Sequence, residues 1–336
     1  MLKGLALTPP VVGRIAIGRV VEKAGRRLPE KDDEFTLTSQ VQNKEGWVAH
    51  PVDAQLRTGP GAKLRSIPVT LLFDDPDLNL RANYTMFDRA TGRPLCVGDG
   101  ESCKRVTLSG MQSLPCPSPA VCPLAQDGHC KPYGRLHVRV EIPVSSTGDT
   151  PAASDDACGD ELGSFVFRTT GFNSIRTLSA RLRYLFAVSG GLLAGLPLEL
   201  RLRGKSTTLS HRTPIYYVDL TLRPGASLPQ VVALVRRERE QQAALGLNQA
   251  ALDEAARQGL ALGELEESEE EAAGVVEEFY PDSDDSNQRE SAGASRKSGE
   301  DASSGASLRS KLTRRQEALA VRAMATGDPG ASHAIA

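Results

Sequence analysis

The sequence predicts an α+β fold, a mostly antiparallel sheet with few packed helices, interrupted by a Cys-rich insertion and followed by a disordered acidic C-terminal tail. Three observations predict it. Strand-length stretches such as GRLHVRVEIPV alternate apolar and polar residues, the period of a half-buried strand. Five of the six cysteines fall between Cys96 and Cys130. Residues 241–336 hold 9 Lys+Arg against 18 Asp+Glu, so a net charge of −2 conceals a basic body and an acidic tail.

Taken in order, RIAIGRVV, FTLTSQV and IPVTLLF read as strands, and in GRLHVRVEIPV Leu136, Val138, Val140 and Ile142 share one face. Arg135, His137, Arg139 and Glu141 take the other. A polar stretch from Ser145 to Gly163 reads as a long surface loop, and SFVFRTT as another strand. The period then changes: Phe172, Ile175, Leu178, Leu182 and Leu185 stand at helical spacing, which predicts a helix docked on the sheet and ended by Gly190 and Gly191. LPLELRLRG and TPIYYVDLTLRPG return to alternation. LPQVVALVRREREQQAALG is a helix with its apolar residues in the first half. The body therefore spans residues 1–246, with a cysteine module at about 94–135 and a helical extension over 247–264.

Beyond it, eleven acidic residues and no basic one lie between Ala261 and Asp285, followed by Ser, Gly and Ala. Such sequence buries too little apolar surface to offset its ordering entropy, so residues 265–307 are expected to be disordered. Residues 308–326 can form a terminal helix that is marginal alone. No fixed-period repeat and no phosphate-binding loop is present; Gly98-Asp99-Gly100 lacks the lysine and the helix of a nucleotide site.

The N-terminal residues contain no apolar run of signal-peptide length before Pro9 and Pro10, and the longest apolar stretch, YLFAVSGGLLAGLPL, is broken by glycines. A cytoplasmic protein without a membrane anchor is expected. In a reducing compartment clustered thiols serve as metal ligands more often than as disulfides. Cys116, Cys122 and Cys130, with Pro117, Pro123 and Gly128 supplying turns, are the expected core of a structural zinc site. Cys96, entering a glycine turn, is the preferred fourth ligand, with Cys103 and His129 as alternates. Cys158 stands alone in a polar stretch.

An all-thiolate zinc site is closed and supplies no open coordination position for hydrolysis. His50, His129, His137, His211 and His333 form no HExxH or other close ligand spacing, and Ser189 lacks a nucleophile elbow. No small-molecule substrate is indicated, and the chain is expected not to be an enzyme. Arg168, Arg176, Arg181 and Arg183, then Arg201, Arg203 and Lys205, with Tyr184, Tyr216 and Tyr217 nearby in sequence, form a candidate surface for a partner or for nucleic-acid phosphates. A solvated helix face explains the same pattern.

The succession GRIAIGRVVEKAGRRLPEKDDEFTLTS, FDRATGRPLCVGDGESCKRV, CPSPAVCPLAQDGHCKPYGRLHV and FRTTGFNSIRTLSARLRYLFAVSGGLLAGLPLELRL resembles the recombination directionality factor-like family of phages and integrative and conjugative elements, over roughly Gly13 to Pro224. The resemblance implies an accessory factor of a mobile genetic element that binds an integrase or its DNA complex and biases site-specific recombination. Members in integrative elements are often labelled hydrolase or metal-binding protein. Two other readings stay open, a single-stranded nucleic-acid-binding accessory protein and a metal-dependent hydrolase. The acidic tail and the gap after Val144 depart from the short phage members.

Overall fold

The computed structural model describes residues 7–261, apart from 24–25, 44–45, 60, 143–161 and 207–213, together with Val275, Val276 and Phe279. The chain enters through β1 (Val11–Lys23), β2 (Arg26–Asn43) and β3 (Gly46–Ala49), then α1 (Pro51–Leu56), β4 (Ser66–Thr70) and the single turn α2 (Pro76–Asn79). Four strands carry it through the cysteine region: β5 (Leu80–Phe87), β6 (Pro94–Gly98), β7 (Ser102–Thr107) and β8 (Gly110–Pro115). A 3₁₀ turn (Pro123–Gly128) leads into β9 (Cys130–Val140). There follow β10 (Ser164–Thr169), α3 (Phe172–Ser189), β11 (Leu198–Lys205), β12 (Ile215–Leu222), α4 (Leu228–Ala244) and α5 (Gln249–Ala261).

The strands join in one path, β3-β2-β1-β10-β9-β5-β6-β7-β8, with β4, β11 and β12 branching from β9. Among the described strands β1 and β10 run parallel and the other pairings are antiparallel, as the alternation predicts. Strand β9 is the hub. Its first half pairs with β5 from Cys130 to Leu136, its middle with β10, and Val140 with Val69 of β4. One strand thus starts among the thiols and ends in the core.

The alternation on β9 sorts its neighbourhood. Leu136, Val138 and Val140 enter the main core with Phe165, Phe167, Leu80 and Ile15. Helix α3 closes this side with Leu178 and Leu182, which are fully buried, and Ile175 rests on Gly134, where a Cβ would stand 2.9 Å from Ile175 Cγ1. Gly190 ends α3 with φ 72°, a left-handed cap that a Cβ disfavours. Leu196, Leu198 and Leu200 are fully buried, whereas Leu202 is only half-buried because β11 runs out to the surface there. Val231 and Val235 are the buried residues of α4.

The helical extension is α5, and it is packed rather than free. Leu252, Ala256 and Leu260 lie against Leu72, Phe73 and Leu78, while Asp253 accepts the backbone N–H groups of Asp74 and Asp75 at 3.1 and 3.3 Å. One sequence expectation needs correction here. Within the segment expected to be disordered, Val275, Val276 and Phe279 have helical backbone, and Val275 and Phe279 are fully buried against Phe87 and Tyr133. Val275 and Phe279, at i, i+4, share one helical face and pack into this aromatic notch. The remainder of 265–307, the helix expected at 308–326 and most of the loop at 145–163 lie outside the described residues. No described helix is long and apolar enough to cross a membrane.

Candidate functional site

The cysteine region is a small antiparallel sheet whose register gathers thiols on one face. Met86 of β5 faces Cys130 of β9 on one side and Cys96 of β6 on the other, and Cys96 faces Arg105 of β7. Two residues further along, Gly98 faces Cys103, which faces Leu114 of β8. Residues directly opposed across strands point to the same side, so Cys96, Cys103, Cys130 and Arg105 share a face. Cys116 follows Leu114 by two residues, held by its N–H to the Glu101 carbonyl at 2.8 Å.

The turn after Cys96, read in sequence as a knuckle, is the β6–β7 hairpin loop. Asp99 Oδ1 accepts from the N–H groups of Glu101 and Ser102, both at 2.7 Å, and Gly100 takes φ 105°. These two N–H groups draw the Asp99 carboxyl below its ordinary range. Gly98 is required by space: a Cβ there would lie 2.8 Å from Cys103 Cβ, 2.8 Å from the Ser102 carbonyl and 2.9 Å from Cys116 Sγ. Downstream, the Cys122 N–H reaches the Ser118 carbonyl at 3.0 Å and Ser118 adopts φ 65°. This tight turn, rather than Pro117 alone, brings the Cys122 loop round.

Cys96 and Cys103 are buried; Cys116, Cys122 and Cys130 are half-buried; all five are reduced. Burial pushes the Cys130 thiol up to about 11, and the proximity of Cys96, Cys116 and Cys122 adds to it. Burial likewise raises Cys103 to about 11, with a hydrogen bond donated to Cys96 and the charges of Cys96 and Cys116 contributing. Cys96, Cys116 and Cys122 therefore each lie within electrostatic reach of Cys130, with Cys103 on the same face as Cys96. As a donor set, five thiols suit a soft, tetrahedral thiolate metal. Among the described residues, their sulfurs do not close into a group of three or more at metal-holding spacing. His129 stands half-buried beside Cys130, and Cys158 lies outside the described residues.

Arg105 is the member of this face that motif reading missed. Its guanidinium is held charged first by a hydrogen bond to Cys96 and then, against the cost of burial, by the nearby Cys96, Cys103 and Cys122 thiols. Nη2 lies 3.9 Å from Cys103 Sγ, and Nε is buried without a hydrogen-bond acceptor among the described residues. Only the β6–β7 register, pairing it with Cys96, reveals the role.

The predicted cationic surface is divided by the fold. Arg181 Nε and Arg203 Nε both donate to Asp219, at 2.9 and 3.1 Å. Burial of Asp219 works to raise its carboxyl, yet the two guanidiniums outweigh this and hold it below the usual range. Arg183 pairs with Asp77 at 3.2 Å, Arg201 with Glu199, and Lys205 Nζ reaches Asn173 Oδ1 at 2.7 Å. Arg176 is exposed on α3, near Phe172, Tyr184 and Val188, which are also exposed. Tyr216 and Tyr217, on β12, face Gly204 and Arg203. Arg168 lies elsewhere, on the side of the sheet away from α3, because it faces Arg135 whereas Ile175 packs on the adjacent Gly134.

His50 and His137 are held in structural roles. His50 caps α1, its Nδ1 accepting from the Val52 N–H at 3.2 Å, and burial lowers its pKa. His137 is buried, with Nδ1 3.0 Å from Ser164 Oγ.

No curated protein and no solved structure matches the chain. A family profile does match residues 12–223, a span covering β1 through β12 and therefore both the thiol face and α3. The chain belongs to the Gp3-like family, described as recombination directionality factor-like.

Proposed function

We propose that the protein is a non-enzymatic accessory factor of a mobile genetic element that binds an integrase, or an integrase assembled on DNA, and biases the direction of site-specific recombination. The observation that carries this reading is the family match across the whole sheet. The exposed side of α3 supports it as a protein-contact surface. Tyr184 and Val188, at i, i+4, are 69% and 61% exposed, and Phe172 is 59% exposed at the helix start. A contiguous exposed apolar patch is the kind of surface a protein partner covers. Arg181, tied to the buried Asp219, holds the helix to its own fold, whereas Arg183 makes only an exposed pair with Asp77.

The energetic requirement is modest. Shifting a two-state synapse from about 1:99 to 99:1 requires a differential affinity of about 5.5 kcal/mol, within the range of a compact protein contact. The test is recombination by the integrase encoded beside the gene, assayed for excision and integration with and without the protein. Excision is expected to rise and integration to fall on addition, and Tyr184→Ala with Val188→Asp to abolish the effect with an unchanged melt. Equal product ratios with and without the protein would falsify the reading.

The same proposal includes a structural zinc on the thiol face, held by Cys116, Cys122 and Cys130 with Cys96, or Cys103, as the fourth ligand. Bound there, the metal would cross-link the β8–β9 loop to the β6–β7 hairpin, so that its binding energy is folding energy. Arg105 would offset the excess negative charge of the thiolates. About one zinc per chain is expected by elemental analysis of reduced protein, lost in Cys130→Ser. Zinc-free protein that melts like the wild type would remove the metal from the proposal, and turnover abolished by chelation would favour a hydrolase.

A further inference from the structure

Helix α5 rests on a surface whose shape is fixed by other parts of the chain. Asn79 closes the turn that carries Phe73: its Oδ1 accepts the Phe73 N–H at 3.2 Å, and its Nδ2 donates to the Phe73 and Asp75 carbonyls at 2.7 and 2.9 Å. Asp74 holds the same turn from the other side, accepting the Leu193 and Ala194 N–H groups, both at 2.9 Å, and pairing with Arg239 of α4 at 2.6 Å. None of these contacts involves α5. They present Leu72, Phe73 and Leu78 as an apolar strip separate from the main core, beside the adjacent N–H groups of Asp74 and Asp75.

What α5 lays on this strip is a simple pattern. Leu252, Ala256 and Leu260, at i, i+4 and i+8, cover the apolar residues, and the Asp253 carboxylate takes the two N–H groups. The fit is shallow, since all three apolar side chains stay half-buried. Burial raises the Asp253 carboxyl above its ordinary range, with the Asp74 charge adding, so docking desolvates an ionised group. The Arg257–Asp75 pair at 3.0 Å is solvated and adds little. Asn248 caps the helix from within, its Oδ1 accepting the Ala251 N–H at 3.1 Å, and the linker from α4 carries exposed Leu245 and Leu247. The groove residues lie inside the family-matched span 12–223, whereas α5 lies beyond it.

The groove also runs into the face of α3. An open cleft of about 530 Å³ between α2, α3 and α5 is lined by Asp77, Arg183 and Phe186 together with Asp253 and Arg257. Phe186 is exposed, as are Tyr184 and Val188 further round the helix. A partner lying along α3 therefore meets the flank of α5.

We propose that this groove is a helix-binding site, that α5 is its displaceable in-chain occupant, and that the segment it takes from the integrase is an amphipathic helix with apolar residues at i, i+4 and i+8 and a carboxylate at i+1. An apolar helix face laid into a preformed groove is a recurrent recognition mode, and a groove ordered in advance loses little entropy on binding. The choice of partner rests on the function proposed above; the groove and its occupant do not.

The probe is a fluorescein-labelled peptide of residues 247–261, LNQAALDEAARQGLA, titrated with the full chain and followed by anisotropy. Leu252→Asp with Leu260→Asp in the chain releases its own helix, and a cooperative melt should survive because the main core contains neither residue. The released chain should bind the peptide. The wild type should bind it at least about tenfold more weakly, because a tethered helix competes at an effective concentration of about a millimolar. A peptide carrying Leu252→Asp should bind neither. In the recombination assay the released chain should favour excision at severalfold lower concentration than the wild type, and excess peptide should reverse that gain. Should the double variant lose its melt, Arg257→Glu, which sets a carboxylate against Asp75, is read instead, with the same changes in smaller measure.

No peptide binding by a folded, released chain overturns the groove. Equal peptide affinity in wild type and released chain overturns α5 as its occupant. An unchanged dose for excision in a released chain that binds the peptide overturns the integrase helix as partner. If no form of the protein, wild type included, shifts the product ratio, the function proposed above fails, and the groove stands on the peptide.

Discussion

His137 and Ser164, neighbours across β9 and β10, form a buried polar pair with 3.0 Å between Nδ1 and Oγ, and Ser164 Oγ also lies 3.2 Å from the Pro10 carbonyl. The imidazole is held neutral by burial and by the surrounding arginines, with its pKa near 3. Unfolded, it titrates at about 6.5. The unfolded chain therefore binds a proton that the folded chain refuses, and stability falls as pH drops from about 6.5 toward 3. Urea melts between pH 6.5 and 5 should show a loss approaching about 1.4 kcal/mol per pH unit from this residue. His50, also lowered by burial, adds in the same direction. Asp219, held below its ordinary value, loses its contribution only at lower pH. His137→Leu should flatten the curve in this window; an unchanged slope would refute the buried neutral histidine.

Asp219 joins α3 to β11. Replacement by Asn leaves Arg181 and Arg203 without their shared carboxylate. Those arginines are nearly half exposed, 46% and 42%, so solvent replaces part of what is lost. A destabilisation of about 1–2 kcal/mol is expected from chemical unfolding, below the cost of breaking a fully buried pair.

Gly98→Ala inserts a methyl group into space bounded by Cys103, Ser102 and Cys116. Overpacking of this kind costs about 1–3 kcal/mol, and here it also separates the hairpin from Cys116. Both melting temperature and zinc content should fall. Gly59→Ala, with nothing within 4 Å of the added carbon, is the matched control and should do neither.

Removal of residues 247–336 uncovers Leu72, Phe73 and Leu78 beneath α5 and Phe87 and Tyr133 beneath Phe279. The body keeps its main core, which includes none of these residues. A cooperative melt should survive with the midpoint lowered by several degrees, at about 2–4 °C per kcal/mol for a domain of this size. A full-length midpoint in the truncated chain would show that neither packing contributes.

Much of the framework was readable in sequence because β1, β9, β11 and α3 each bury one face and so carry the matching period. The strands β5 to β8 were less visible. Their solvent-facing residues and frequent glycine and proline mask the alternation, and β8 is exposed along nearly all its length. The thiols could be grouped by spacing, but the choice between Cys96 and Cys103 rests on register, which places both on the same face. Arg181 and Arg203 appeared outward-facing because their partner, Asp219, is 38 and 16 residues away. Arg81 and Arg135, 54 positions apart in the chain, become neighbours only once β5 is paired with β9. Phe279 was hidden by the acidic composition around it.

The parallel pairing of β1 with β10 has a consequence for how the chain acquires its structure. Val11 meets Ser164 and Ile15 meets Phe167, so this seam of the sheet joins β1 to a strand made some 150 residues later. During synthesis, β1 and β2 can form their hairpin early, but the outer edge of β1 stays open until β10 emerges from the ribosome. At about 5–20 residues per second this interval lasts on the order of ten to thirty seconds. Through it the nascent chain presents an unpaired edge with Ile15 and Ile17, a template for association with other chains. Assembly of the seam is therefore a late, high-contact-order event, and yield of native protein should depend on translation speed and chaperone supply more than on the final stability of the sheet.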